Sequence, residues 1–191
     1  IWASVREIKE QEERLIQLKS EENKLNNLYS MLLPWGKAEI PLDAKGSHRT
    51  VLQFGTISSA IGWEQLKTGL YEKVPCSETE VINSDRDQYY IYIIYHRDSE
   101  QDCLSYLKSK GFNRTAFSGL ARTAADNLTS IETRLKELAF EKENVIQKIK
   151  DCKDSRESIE ILYDALGMEL ERIAAMRKII KTKKVFLIKG W

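Results

Sequence analysis

The sequence predicts an α+β protein: a long antiparallel helical hairpin carrying a compact lobe of alternating strands and helices, plus part of a second α/β lobe. Three observations predict it. All three prolines and seven of the nine glycines fall between residues 34 and 119, leaving two nearly breaker-free arms around a breaker-rich centre. Both arms repeat apolar residues every three and four positions, the spacing of a coiled-coil seam. In the centre that period gives way to β-branched and aromatic runs.

The first arm, residues 1–33, contains neither Gly nor Pro. Its seam reads Ile1, Val5, Ile8, Leu15, Leu18, Leu25, Tyr29 and Leu32, with Glu12 and Glu22 in the two gaps and one slip between Leu15 and Leu18. Pro34 disfavours helical backbone in the residue before it, so the helix is expected to stop near Leu33.

Six elements follow. Residues 49–57 read as a strand, and 63–73 as an amphipathic helix with Trp63, Leu66, Leu70 and Tyr71 on its apolar face. Residues 78–83 form a short strand candidate, and Ser84-Asp85-Arg86-Asp87 has turn chemistry. The run 89–95, Tyr-Tyr-Ile-Tyr-Ile-Ile-Tyr, is the strongest strand, apolar on both faces. Residues 99–110 carry Cys103, Leu104, Tyr106 and Leu107 and end at Gly111, a helix stop; 112–117 is the last strand. The order β-α-β-β-α-β is the split-βαβ, or ferredoxin-like, arrangement.

The second arm, 122–181, has its seam at Leu128, Ile131, Leu135, Leu138, Lys142, Val145, Ile149, Cys152, Arg156, Ile159, Tyr163, Leu166, Leu170, Ile173, Arg177 and Ile180. All but Lys142, Arg156 and Arg177 are apolar or Tyr, and those three can snorkel their charged ends to solvent. The pattern predicts an unbroken helix, with Gly167 as its expected bend. At about 1.5 Å per residue the first arm reaches roughly 50 Å and the second roughly 90 Å. The first can therefore cover only part of the second. The stripe Ile159, Tyr163, Leu166, Leu170 and Ile173 is expected to lie bare and to need a partner. Residues 183–189 read as a strand beyond the arm.

Charge excludes a chain built mainly to grip nucleic acid: Lys and Arg number 30, Asp and Glu 29. Phe54, Tyr90 and Tyr92 could stack RNA bases in a lobe of this topology. However, the motif K/R-G-F/Y-G/A-F-V-x-F/Y is absent, and residues 34–118 balance ten basic against eleven acidic side chains. Core or protein-contact roles suit those aromatics better. Residues 172–189 hold seven basic side chains and no acidic one. That segment is either a solvated helix end or a patch facing an acidic partner or anionic lipid.

Catalytic chemistry is not apparent. His48 and His96 are the only histidines, and Cys76, Cys103 and Cys152 are widely spaced without a CxxC. No phosphate-binding glycine loop, nucleophile elbow or zinc motif occurs. No catalytic, cofactor-binding or metal residue is expected, and the cysteines are expected to be reduced. No apolar run approaches the ~18 residues of a membrane span, and the charged helical N-terminus does not read as a signal peptide. The sequons at Asn113 and Asn127 are expected to be chance. The start at Ile1 and the run ending at Trp191 suggest a piece of a longer protein.

Three stretches carry a family resemblance: Leu33-Pro-Trp-Gly-Lys-Ala-Glu-Ile-Pro-Leu42, Val51-Leu-Gln-Phe-Gly-Thr-Ile57, and Lys181-Thr-Lys-Lys-Val-Phe-Leu-Ile-Lys-Gly-Trp191. In this order and spacing the chain resembles the cytoplasmic N-terminal part of subunit I of the V-type (A-type) ATP synthase, the counterpart of subunit a of vacuolar ATPases. Its tail departs from the family's usual Thr-Glu-rich version in being more basic. The resemblance implies an outgoing coiled-coil helix (1–33), a distal ferredoxin-like lobe (34–119), a returning helix (120–165) and the start of an incomplete proximal lobe (166–191). The spacing of the two arms predicts a seam joining Val5, Ile8, Leu15, Leu18 and Leu25 to Leu128, Ile131, Leu135, Leu138, Val145 and Ile149. The candidate partner surface comprises Ile159, Tyr163, Leu166, Leu170, Ile173, Tyr90, Tyr92, Arg177, Lys178 and Lys181.

What it implies functionally is a non-catalytic stator arm at the cytoplasmic face of the membrane. The arm links peripheral-stalk coiled-coil heterodimers of E and G type subunits to the ion-translocating membrane half, so that ATP turnover is coupled to H⁺ or Na⁺ transport. The alternatives are a generic coiled-coil scaffold or dimerisation module and, less favoured, an RNA-binding ferredoxin-like domain.

Overall fold

The computed structural model of the chain describes residues 2–178, 180–181 and 186–187, with side chains through Arg177. Helix α1 (Trp2–Leu32) ends as Pro34 requires, and a 3₁₀ turn (Leu33–Trp35) follows it. Next come β1 (Thr50–Ser58), α2 (Trp63–Lys73), β2 (Ser77–Ser84), β3 (Gln88–His96), α3 (Glu100–Ser109) and β4 (Asn113–Thr115). Helices α4 (Ala124–Asp151) and α5 (Arg156–Lys178) complete the helical part, followed by the short pair β5 (Ile180–Lys181) and β6 (Phe186–Leu187). The chain is thus α+β, with long helices and a four-stranded sheet.

Tertiary contacts divide the chain into two compact units: Glu21–Glu137, and Ile1–Ser20 with Leu138–Trp191. In the first, the strand order is β2-β3-β1-β4 with every neighbouring pair antiparallel. Alternation along the strands gives the sheet two apolar faces. One carries Ile57, Ile91, Ile93 and Tyr95, buried under Leu66, Leu70 and Val74 of the α2 segment and Cys103, Tyr106 and Leu107 of α3. The helices approach closely at Gly69, where a Cβ would strike the Tyr106 hydroxyl.

The opposite face carries Phe54 and the half-buried Leu52, Tyr90 and Tyr92. It is covered by Leu32, Trp35, Leu42, Phe117, Ala124 and Ile131. Trp35 is the hub of this cluster, edge-on to Phe54, Tyr90 and Phe117 at centroid distances of 5.7, 5.4 and 5.3 Å. Residues 21–32 of α1 and 124–137 of α4 pair in this unit. Tyr29 donates to Glu132 at 2.9 Å, and Arg134 bridges Glu21 at 2.9 Å.

Local signals explain the element ends. Asp85 Oδ1 accepts from the amides of Asp87 and Gln88, at 2.9 and 2.7 Å, and so closes the β2–β3 turn. Gly111, at φ +70°, ends α3 with paired bonds from Gly111 N to Lys108 O and from Phe112 N to Leu107 O, a Schellman arrangement. Thr123 caps α4 by accepting from the Asp126 amide. The last strand is shorter than the expected 112–117. Only Asn113–Thr115 pair with β1, opposite Thr56, Gly55 and Phe54, while Phe112 and Phe117 flank the strand and pack on opposite faces of the sheet.

In the second unit, residues 2–20 of α1 run antiparallel to residues from 138 onward. Arg14 donates to Glu141 at 2.8 Å and the hydroxyls of Ser4 and Ser155 meet at 3.3 Å. Leu18, Leu138 and Val145 are buried.

The expected single helix over 122–181 is corrected in three places. A 3₁₀ segment at Cys152–Ser155 separates α4 from α5. Its Cys, Asp and Ser have weak helix propensity, and Ser155 makes its tertiary contact there. The expected bend at Gly167 is not where the interruption falls: Gly167 lies inside α5 with nothing near its missing side chain. Ile180, read as a seam position, belongs to β5. Of the strand expected at 183–189, Phe186–Leu187 is strand, and the remainder lies outside the described residues.

Candidate functional site

The expected seam residues are buried or half-buried throughout. Leu18, Ile131, Leu138 and Val145 are buried, while Val5, Ile8, Leu15, Leu25, Leu128, Leu135 and Ile149 are intermediate. Tyr90 and Tyr92, read as candidate partner contacts, are half-buried against the Trp35 cluster with both hydroxyls engaged. Tyr90 donates to Asp85 Oδ2 at 2.9 Å, and Tyr92 donates to Glu80. The Glu80 carboxylate, with burial, pushes the Tyr92 phenol up to about 12. Phe54, a base-stacking candidate, is also buried in this cluster. The face that an RNA reading needs free is filled by the chain's own side chains.

Helix α5 is different. Ile159 is half-buried, but Tyr163, Leu166, Leu170 and Ile173 are 77, 44, 67 and 39% exposed. Their spacing puts them on one stripe. A second stripe, missed in the sequence, holds Ile161, Ala165, Met168 and Met176, all exposed. At about 100° per residue it lies roughly opposite the first. A shallow cavity of about 510 Å³ follows it, lined by Ile161, Asp164, Ala165, Met168, Glu169 and Arg172. The available signal was the seven-residue step from Ile161 to Met168, which a heptad scan fixed on the other frame passes over.

Two ion pairs form along α5. Arg172 bonds Glu169 through two nitrogens at 2.8 and 2.6 Å, and Arg156 bonds Glu160 at 2.8 Å. These pairings hold both guanidinium groups above their ordinary range. Arg177 is exposed, while the side chains of Lys178 and Lys181 lie outside the described residues.

The buried reactive groups are poor catalysts. Burial pushes the Cys103 thiol up to about 11, and burial with the Glu100 charge pushes the Tyr95 phenol up to about 12, so both are protonated at neutral pH. Among the described residues, no cluster of three His, Cys, Asp or Glu could hold a metal ion, and no helix is long and apolar enough to cross a membrane.

Comparison with known proteins agrees in fold. No protein-family model and no curated protein matches the sequence. Among solved structures, the crystal structure of the cytoplasmic N-terminal domain of subunit I, homolog of subunit a, of V-ATPase matches with a TM-score of 0.54 and 17% identity. The match covers 83% of this chain and 55% of that one, so the chain spans about half of its structural neighbour.

Proposed function

We propose that this chain is a non-catalytic stator arm of a rotary V-type ATPase or ATP synthase. The observation that carries the proposal is the structural match to the cytoplasmic domain of V-ATPase subunit I. The sequence motifs around Pro34, Phe54 and Phe186 add to it independently. The lobe at 34–119 is taken as ferredoxin-like, supported by its element order and the antiparallel β2-β3-β1-β4 sheet. The helices at 1–33 and 120–165 form the arm's bar, and 166–191 opens a proximal lobe. In this assignment the arm works at the cytoplasmic face and joins peripheral-stalk heterodimers of E and G type subunits to the ion-translocating half. Paired helices suit the task. Bending or twisting them must disturb buried side chains such as Leu18, Leu138 and Val145, whereas a loop would yield.

The exposed stripe of α5 also favours a second reading, a coiled-coil dimeriser. The opposed second stripe argues for the stator. A two-stranded coiled coil buries one seam and would leave Ile161 and Met168 in water. A helix set inside a larger lobe buries both.

Titration of the chain with a purified stalk heterodimer is the test. A stoichiometric complex of modest affinity is expected. Absence of binding both to this chain and to the whole cytoplasmic region would overturn the stator assignment. A stable dimer that persists in the longer protein would establish the dimeriser.

A further inference from the structure

We propose that the open edge of β2, with the groove between β2 and α2, is a docking site for a basic, extended segment of another protein. The inference does not depend on the stator assignment. β2 is the terminal strand of its sheet, and its outward peptide groups have no strand partner among the described residues. Proteins usually guard such an edge with Pro, Lys, a bulge or a covering segment. Here the irregularity between Val81 and Asn83 guards the second half. Residues 77–81 contain neither Pro nor Lys and offer about 17 Å of strand.

A cavity of about 400 Å³ opens beside this stretch, between Glu64, Lys67, Leu70 and Tyr71 on one side and Ser77 and Glu78 on the other. Leu70 is buried, and Tyr71 is 64% exposed with no ring contact among the described residues. An added strand would pair with the edge and drop alternate side chains beside Tyr71.

Charge selects the occupant. Glu64 and Glu78 line the groove, with Lys67 as its one lysine among the described residues. Glu72 and Lys73 both lie beside the Tyr106 ring, and Glu80 accepts from Tyr92 on the other sheet face, where Lys37 is near it. The balance is acidic, and an exposed Tyr ring adds a cation–π surface. A second copy of the same edge would oppose carboxylates to carboxylates, a repulsive pairing. A segment alternating Lys or Arg with apolar residues satisfies both edge and groove.

The test uses the full ¹⁵N-labelled chain and two probes, acetyl-Lys-Val-Lys-Val-Lys-Val-Lys-amide and the same peptide with Glu for Lys. The basic peptide should shift the amides of residues 77–81 and Tyr71 and slow hydrogen exchange along that edge; the acidic peptide should do neither. Glu64→Lys with Glu78→Lys should weaken binding at least about tenfold, and Glu13→Lys on α1 should leave it unchanged. Circular dichroism would establish that the variants remain folded. Unmoved 77–81 amides at millimolar basic peptide, equal binding of both peptides, or unchanged affinity in the double variant would each overturn the proposal. Concentration-dependent protection of the edge without peptide would also overturn it, by making a second copy the occupant.

Discussion

Gly55→Ala probes the placement of β4, the shortest strand of the sheet. Gly55 pairs with Arg114 in the β1–β4 register. A Cβ there would overlap the edge of the Phe112 ring and come within 2.6 Å of the Asn113 carbonyl oxygen. The ring can swing, but the carbonyl belongs to the β4 ladder and can retreat only by parting the strands. Overpacking of this kind costs about 1–3 kcal/mol, and the carbonyl contact puts Gly55 toward the upper end. Alanine recovers some backbone entropy, up to about 1 kcal/mol, so a net loss near 2 kcal/mol is expected. Urea unfolding followed by tryptophan fluorescence measures it. Phe112→Leu in the same background should restore part of the loss, with a coupling energy on the order of 1 kcal/mol. A G55A protein within about 0.5 kcal/mol of the parent, or strict additivity with F112L, would refute both the contact and the register.

Four further outcomes are expected. Gly167→Ala should stabilise α5 by up to about 1 kcal/mol, since the new methyl meets open space inside a helix; a destabilised helix by circular dichroism would contradict that geometry. Leu138→Ala should cost about 2–5 kcal/mol because Leu138 is fully buried. Leu170→Ala on the exposed stripe should stay within about 0.5 kcal/mol, and equal losses in denaturant titration would remove the distinction between the two positions. The Asp85 carboxyl is held below its ordinary 3.8 first by the Asp87 amide and then by the Gln88 amide. Its contribution is therefore full above that pH and is lost as pH falls below it. Between about pH 5 and pH 2 the parent should lose more stability than Asp85→Asn, and parallel pH profiles would contradict this.

The fold was legible where chemistry is local. Pro34 set the end of α1, Gly111 the end of α3 and Asp85 the turn between β2 and β3, each through a constraint acting within a few residues. The Trp35 cluster was not legible. Trp35 and Leu42 lie in a stretch with no helical or strand period, Phe117 ends a run that reads as strand, and only the tertiary fold makes them one core. The interruption at Cys152–Ser155 was masked for a related reason. Cys152 kept the seam apolar while its neighbours Asp151, Asp154 and Ser155 weakened the helix, and a heptad count weighs only the seam. The exposed face of α5 was half legible: the stripe through Tyr163 and Leu170 follows the heptad frame, whereas Ile161 and Met168 need a scan of the helix's other side.

The two contact units differ in how completely they bury their apolar surface, and that difference bears on function. In Glu21–Glu137 both faces of the sheet are covered, and the hydroxyls of Tyr90, Tyr92 and Tyr95 are engaged. Helix α5 instead pairs Arg172 with Glu169 and Arg156 with Glu160 along its own surface and has two opposed apolar stripes exposed. Full burial of a large apolar side chain is worth about 1.5–3 kcal/mol. Tyr163, Leu170, Ile161 and Met168 together therefore hold several kcal/mol of association energy that one flat partner cannot collect. A helix with this pattern is made to be enclosed from two sides. That pattern favours the proposed placement of α5 within a larger lobe over a two-stranded pairing, which buries a single seam.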